Sequence, residues 1–264
     1  MYPTLDSRAL SQCFLLQREV LGAMAQNPNR LPALQSLTIN NWLAVPDTLY
    51  AETPFARIVA SLRHLRFLVC VDRSYDSLRR ERFATFWKHV IEQKVLVPAR
   101  RLESLDVDCN MRVRPSLNFN LFTYPRLTAL SLGNIIWEDG SAAHGNFLPG
   151  VENFVVRHGK KLRELKLCRC TIEIPEGIDA PFRSWAAIWN RFADELTELV
   201  DLVVEFEADP HREDEGIQYS KCYGLYGHVS IYQQVGTGAD TPALEAFRTI
   251  VEARKSKLGR KLDE

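Results

Sequence analysis

The stretch Lys161–Cys170, KLRELKLCRC, constrains the fold of this chain more than any other. It reads Leu162-x-x-Leu165-x-Leu167-x-x-Cys170. Alternate side chains of a strand share a face, so Leu165 and Leu167 point one way and Lys166 and Cys168 the other. A strand this short cannot bury its apolar side alone, and the simplest neighbour is a copy of itself.

The copies are present in series. Leu34-x-x-Leu37-x-Ile39, Leu65-x-x-Leu68-x-Cys70 and Leu102-x-x-Leu105-x-Val107-x-x-Asn110 precede it, with Leu127-x-x-Leu130-x-Leu132 next. Leu199-x-x-Leu202-x-Val204 follows it. The ninth position is Asn110 in the third copy and Cys170 in the fifth, but Ile135 in the fourth and Glu207 in the sixth. Subtracting successive fourth positions gives separations of 31, 37, 25, 35 and 37. A leucine-rich repeat has a period of roughly 20–29 residues, so these are long and uneven members of that pattern. The pattern predicts an α/β fold, an irregular leucine-rich-repeat solenoid. It would be an open arc with short parallel strands inside and helices outside. One domain is expected over 1–264, with a capping helix in 1–30 and six repeats over 31–208. A loop, an edge strand and a C-terminal capping helix would fill 209–264. An ordinary α/β domain with a parallel sheet is the competing reading.

Between the strands the apolar period changes from two to that of a helix. Asp6 or Ser7 is placed to cap a helix over Arg8–Met24, with Leu10, Cys13, Phe14, Leu21 and Met24 near one face, and Asn27-Pro28-Asn29 ends it. Thr53-Pro54 reads as a cap followed by proline at the first helical position. Phe83, Phe86, Trp87, Val90, Ile91 and Val95 form an apolar stripe opposite Arg80, Glu81, Lys88 and Glu92. Pro115 and Pro125 argue against a full helix in Met111–Pro125. After a glycine-bearing loop, Phe147, Leu148, Val151, Phe154 and Val155 make another helix, with Gly159 at its C-terminal turn. Past the loop from Pro175 to Pro181, Trp185, Ile188, Trp189, Phe192 and Leu196 mark the next. Asp209–Gly227 lacks helical period and reads as a mobile loop, and Val229–Ile231 alternates like an edge strand. The last helix carries Leu244, Phe247, Ile250 and Val251 and is placed to cover the open end of the arc.

Lys plus Arg is 33 and Asp plus Glu is 33, so the formal net charge is zero. That argues against bulk electrostatic binding of nucleic acid or anionic membrane. No apolar run is long enough to span a bilayer, and no basic n-region precedes an apolar stretch at the N-terminus. The six cysteines show no paired framework, so reduced thiols in the cytoplasm or nucleus are expected.

No nucleophile-elbow, zincin, P-loop or dinucleotide-binding spacing occurs. Cys168-x-Cys170 with Cys109 suggests thiolate metal binding, but Cys170 falls on the inward ninth position and Cys168 on the solvent side, so no metal or other cofactor is expected. Asp106 and Asp108 share a strand face, and without a matching nucleophile they read as an exposed acidic face rather than an acid–base pair. In this register the residues between the core leucines form the concave face. The fifth positions are Thr38, Val69, Asp106, Ser131, Lys166 and Val203, and the seventh are Asn40, Val71, Asp108, Gly133, Cys168 and Glu205. The candidate partner-binding residues are Asp106, Asp108, Ser131, Lys166, Cys168 and Glu205. Solenoids bind other proteins through such a surface. A non-enzymatic interaction module is therefore expected. The alternative is an α/β enzyme or small-molecule-binding protein with its site on strand-end loops, lined by Asp108, Cys168 and Glu205.

VENFVVRHGKKLRELKLCRCTI (151–172), SWAAIWNRFADELTELVDLVVE (184–205) and the spacing of YPRLTALSLGN (124–134) resemble the leucine-rich-repeat region of fungal F-box-type proteins. The resemblance covers residues 31–205 and implies substrate recognition for a cullin-type ubiquitin ligase. The F-box, the helical module that docks the adaptor, opens with a Leu-Pro-x-Glu-like segment that Met1–Arg30 lacks. The apolar residues of Arg8–Met24 are expected to cover the first rung at Leu37 and Ile39. Adaptor binding is therefore expected only if an F-box lies upstream of this chain.

Overall fold

The computed structural model describes residues 7–26, 34–70, 83–110, 117–137, 150–174, 183–206, 219–222, 228–231 and 238–262. Several expectations lie outside these residues: the Asn27-Pro28-Asn29 break, Val71, Arg80 and Glu81, Pro115, Phe147 and Leu148, the loop from Pro175 to Pro181, and Glu207. The described residues form two compact units, one ending at Arg126 and one starting at Leu127.

In the first unit, β1 (Ser36–Leu43), β2 (His64–Cys70) and β3 (Ser104–Cys109) lie side by side and parallel. Leu37 pairs with Leu65, and Leu65 with Leu105. The second rung is thus phased three residues earlier than expected, as Leu62-x-x-Leu65-x-Phe67. The sequence offers both frames, and an odd shift exchanges the two faces of a strand. Packing selects the earlier one. Leu62, Leu65, Phe67 and Val69 are at most 2% exposed, and the Phe67 ring meets Trp42 and Trp87 edge-on or tilted at 5.5 and 6.5 Å. Val69 therefore points into the core, and Arg66 and Leu68 take the outward places assigned to Val69 and Val71.

Helices accompany these strands. α1 (Ser7–Gln26) docks through Leu21 and Ala25, and through Gln17, whose amide donates to the Tyr50 hydroxyl and accepts from the Leu43 N–H. Cys13, expected on the buried face, is exposed, as are Leu15, Leu16 and Val20. Leu37 and Ile39 remain half-buried, so the apolar residues of α1 only partly cover the first rung. α2 (Thr53–Ser61) starts one residue earlier than predicted: Glu52 is the N-cap without a side-chain bond, and Thr53 and Pro54 are its first helical residues. α3 (Phe86–Leu96) winds as a π helix and ends with Val97 N–H on the Glu92 carbonyl, an i→i+5 bond. That wider winding rotates Glu92 off the charged face, and it is buried. Its carboxylate accepts from the Asn118 N–H at 2.6 Å and pairs with Lys88 at 2.6 Å, which makes its burial tolerable.

The second unit repeats the parallel row with β4 (Ala129–Gly133), β6 (Glu164–Cys168) and β8 (Asp201–Glu205), and Leu130, Leu165 and Leu202 stand in register. Asn134 and Arg169 follow β4 and β6 with φ of 56° and 54°, in the left-handed region. Asn41 in the first unit has φ 60° at the equivalent place, four residues after Leu37. Asparagine tolerates this conformation, whereas arginine there is strained by about 1–2 kcal/mol. The bend directs the chain into a second layer of short strands: β5 (Ile136–Trp137) and β7 (Thr171–Ile174), then β9 (Tyr219–Cys222) and its antiparallel neighbour β10 (His228–Ile231), in the order β10-β9-β7-β5. Tyr219–Cys222 is therefore strand inside a stretch read as loop. A Thr171–Ser220 hydroxyl pair at 2.7 Å satisfies two buried polar groups between β7 and β9.

α4 (Gly150–His158), α5 (Trp185–Glu195) and α6 (Asp240–Leu262) belong to this unit. Gly159 follows α4, but its φ is not positive. It is required by close approach instead, since a Cβ there would stand 2.5 Å from the Glu195 carbonyl oxygen. α5 buries its expected face, Trp185, Ile188, Trp189 and Phe192. The stacked pair Trp185–Trp189, 4.8 Å apart, contacts Trp137 and Phe247. α6 buries Leu244, Phe247 and Val251 and leaves Ile250 exposed. It serves both ends of α5. Asp240 accepts from the Ala186 N–H and the Tyr219 hydroxyl, which itself accepts from the Trp185 N–H, while Ser184 accepts from the Ala187 N–H. At the other end Arg254 donates to the Ala193 and Leu196 carbonyls at 2.9 and 2.6 Å. Carboxylate at the N-terminus and guanidinium at the C-terminus match both the orphan backbone groups and the dipole of α5.

Candidate functional site

The strand registers decide which candidate side chains meet. In the first unit Thr38, Arg66 and Asp106 form one outward row, and Leu68 stands beside Asp108. Arg66 Nε lies 3.2 Å from Asp106 Oδ2, and Arg63 pairs with Glu103 at 3.2 Å one position before the strands. Asp108 accepts from the Cys109 N–H at 2.8 Å. The acidic face expected from Asp106 and Asp108 is therefore partly neutralised by Arg66, which the later frame of the second rung had hidden. Cys70, at the end of β2, donates to Asn41 at 3.3 Å. Burial, with Asp108 nearby, pushes its thiol up to about 11.

In the second unit the outward rows are Ser131–Lys166–Val203 and Gly133–Cys168–Glu205, preceded by Ala129–Glu164–Asp201. Lys166 Nζ lies 3.0 Å from Glu205 Oε1, and the Cys168 thiol hydrogen-bonds the same carboxylate. The hydrogen bond to Glu205 raises the pKa of Lys166, and that to Lys166 lowers the pKa of Glu205. Cys168 was expected on the solvent side. It does face outward, yet it is only 8% exposed, and burial followed by its bond to Glu205 pushes the thiol up to about 12. A thiol held in that state is not a nucleophile near neutral pH. Cys170 faces a different environment: it is buried and donates to the Leu132 carbonyl of the preceding rung at 3.3 Å. That bond ties the end of β6 to β4.

Asp106 and Asp108 are brought together in one unit, and Ser131, Lys166, Cys168 and Glu205 in the other. The sequence reading missed Arg66, Glu164 and Asp201. Arg66 was legible in the alternative Leu62 frame, and Glu164 and Asp201 stand two residues before the fifth position on the same face. Glu164 and Asp201 are in register on adjacent strands, where like charges repel; Lys255 approaches Asp201 at 3.8 Å. Val203, at 36% exposure, is the large apolar side chain of this face.

Three carboxylates are buried among the described residues away from these faces, Glu173 of β7 being one of them. Glu92 is described above, and Glu152 of α4 is 0% exposed. Arg183 grips both Glu152 oxygens at 3.0 and 2.6 Å, and Arg191 of α5 donates to one of them at 2.8 Å. Both arginines span from α4 to the start and middle of α5, so this cluster fixes one helix against the next. Among the described residues no group of three or more His, Cys, Asp or Glu side chains has a metal-holding geometry, and no helix is long and apolar enough to cross a membrane.

No family model, curated protein or solved structure matches the chain.

Proposed function

We propose that the chain is a non-enzymatic protein-interaction module built as an irregular leucine-rich-repeat solenoid, and that the outward faces of its parallel strands hold the partner. The observation that carries this reading is the row Ser131–Lys166–Val203 on three adjacent strands, beside buried Leu130 and Leu165 and half-buried Leu202. Three further features support it. Cys170 bonds the neighbouring rung from the ninth position. The outward faces carry charges of both signs, Arg66 on Asp106 and Lys166 on Glu205, with exposed Val203 beside Lys166. Cys168 of the same face lies against Glu205, which its thiol hydrogen-bonds.

The likeness to fungal F-box-type proteins would make this surface the substrate-recognition part of a ubiquitin-ligase receptor, working in the cytoplasm or nucleus. Adaptor docking needs an apolar helical surface outside the core. The expectation that α1 has none to spare is weakened by exposed Leu15, Leu16 and Val20.

The test is capture of partners from a lysate by wild type and by Asp106→Lys/Asp108→Lys. Added positive charge facing a complementary surface costs several kcal/mol of binding; because Asp106 and Asp108 are half-buried and bonded to Arg66 and the Cys109 N–H, unfolding is measured beside capture. Loss of a captured protein with unchanged thermal unfolding supports the reading for the first unit. Unchanged capture removes Asp106 and Asp108 from the binding surface.

A further inference from the structure

We draw no further inference here: the strongest candidate, the exposed apolar stripe of Leu16 and Val20 beside Cys13 on α1, is an unpartnered helix face, and nothing in the structure shows what covers it.

Discussion

The phase of the second rung makes a sharp prediction, because two overlapping frames assign opposite faces to the same residues. Leu65 is 2% exposed and flanked by Leu37 and Leu105, whereas Leu68 is half-buried beside Asp108. Leu65→Ala removes about three buried carbon atoms, worth about 2.4 kcal/mol at about 0.8 kcal/mol each. The cavity left between two neighbouring rungs adds to that, giving about 3–4 kcal/mol in total. Leu68→Ala removes the same atoms from a position that already touches water and leaves no closed cavity, so its cost is about 1 kcal/mol or less. Equilibrium urea unfolding of both variants measures the difference, with an unchanged slope confirming that the denatured states are comparable. A larger loss for Leu68→Ala than for Leu65→Ala would restore the later frame and put Val69 back on the outward face. Equal losses would refute both assignments.

Three further outcomes follow from buried polar groups in the second unit. Glu152→Ala leaves Arg183 and Arg191 without their carboxylate; these are 30% and 29% exposed, so water recovers part of the loss, and denaturant unfolding should show about 2–3 kcal/mol of destabilisation. Arg183→Ala, which leaves Arg191 on Glu152, should cost less than the Arg183→Ala/Arg191→Ala double variant. His158 donates from Nδ1 to the Phe154 carbonyl, and burial lowers its pKa below the ordinary 6.5. The unfolded chain then takes up the proton first on acidification. The contribution of His158 is complete above about pH 6.5 and is lost as pH falls toward the lowered folded value. Unfolding at pH 7.5 and 5.5 should show a fall in stability that His158→Gln makes smaller, and an undiminished fall would clear this histidine.

The alternation of Leu165, Lys166, Leu167 and Cys168 placed strand faces correctly because a single physical rule, period two against a buried side, governs it. The same rule failed at Leu62–Cys70, where leucines three apart fit two frames, and tertiary packing, Phe67 against Trp42 and Trp87 with Leu65 between Leu37 and Leu105, separates them. Glu92 was misplaced because its sequence period was read as an α helix, and nothing local announces the i→i+5 winding that turns it inward. Gly159 was recognised as important for the wrong reason, since the Glu195 carbonyl that excludes a side chain there comes from another helix. The candidate surface was legible in position but not in charge. Which carboxylate meets which cation depends on the register between strands, which fixes Arg66 on Asp106 and Lys166 on Glu205.

Site-specific photo-crosslinking in the native cell tests the central claim most directly. A benzoyl-phenylalanine placed at Ser131 or at Val203 samples the outward face of the strands, and one at exposed Lys160, after α4, samples the helix side. The account predicts that the first two positions crosslink to the same protein and that Lys160 does not. Crosslinks from Lys160 alone, or none from Ser131 and Val203 in a folded variant, would contradict it.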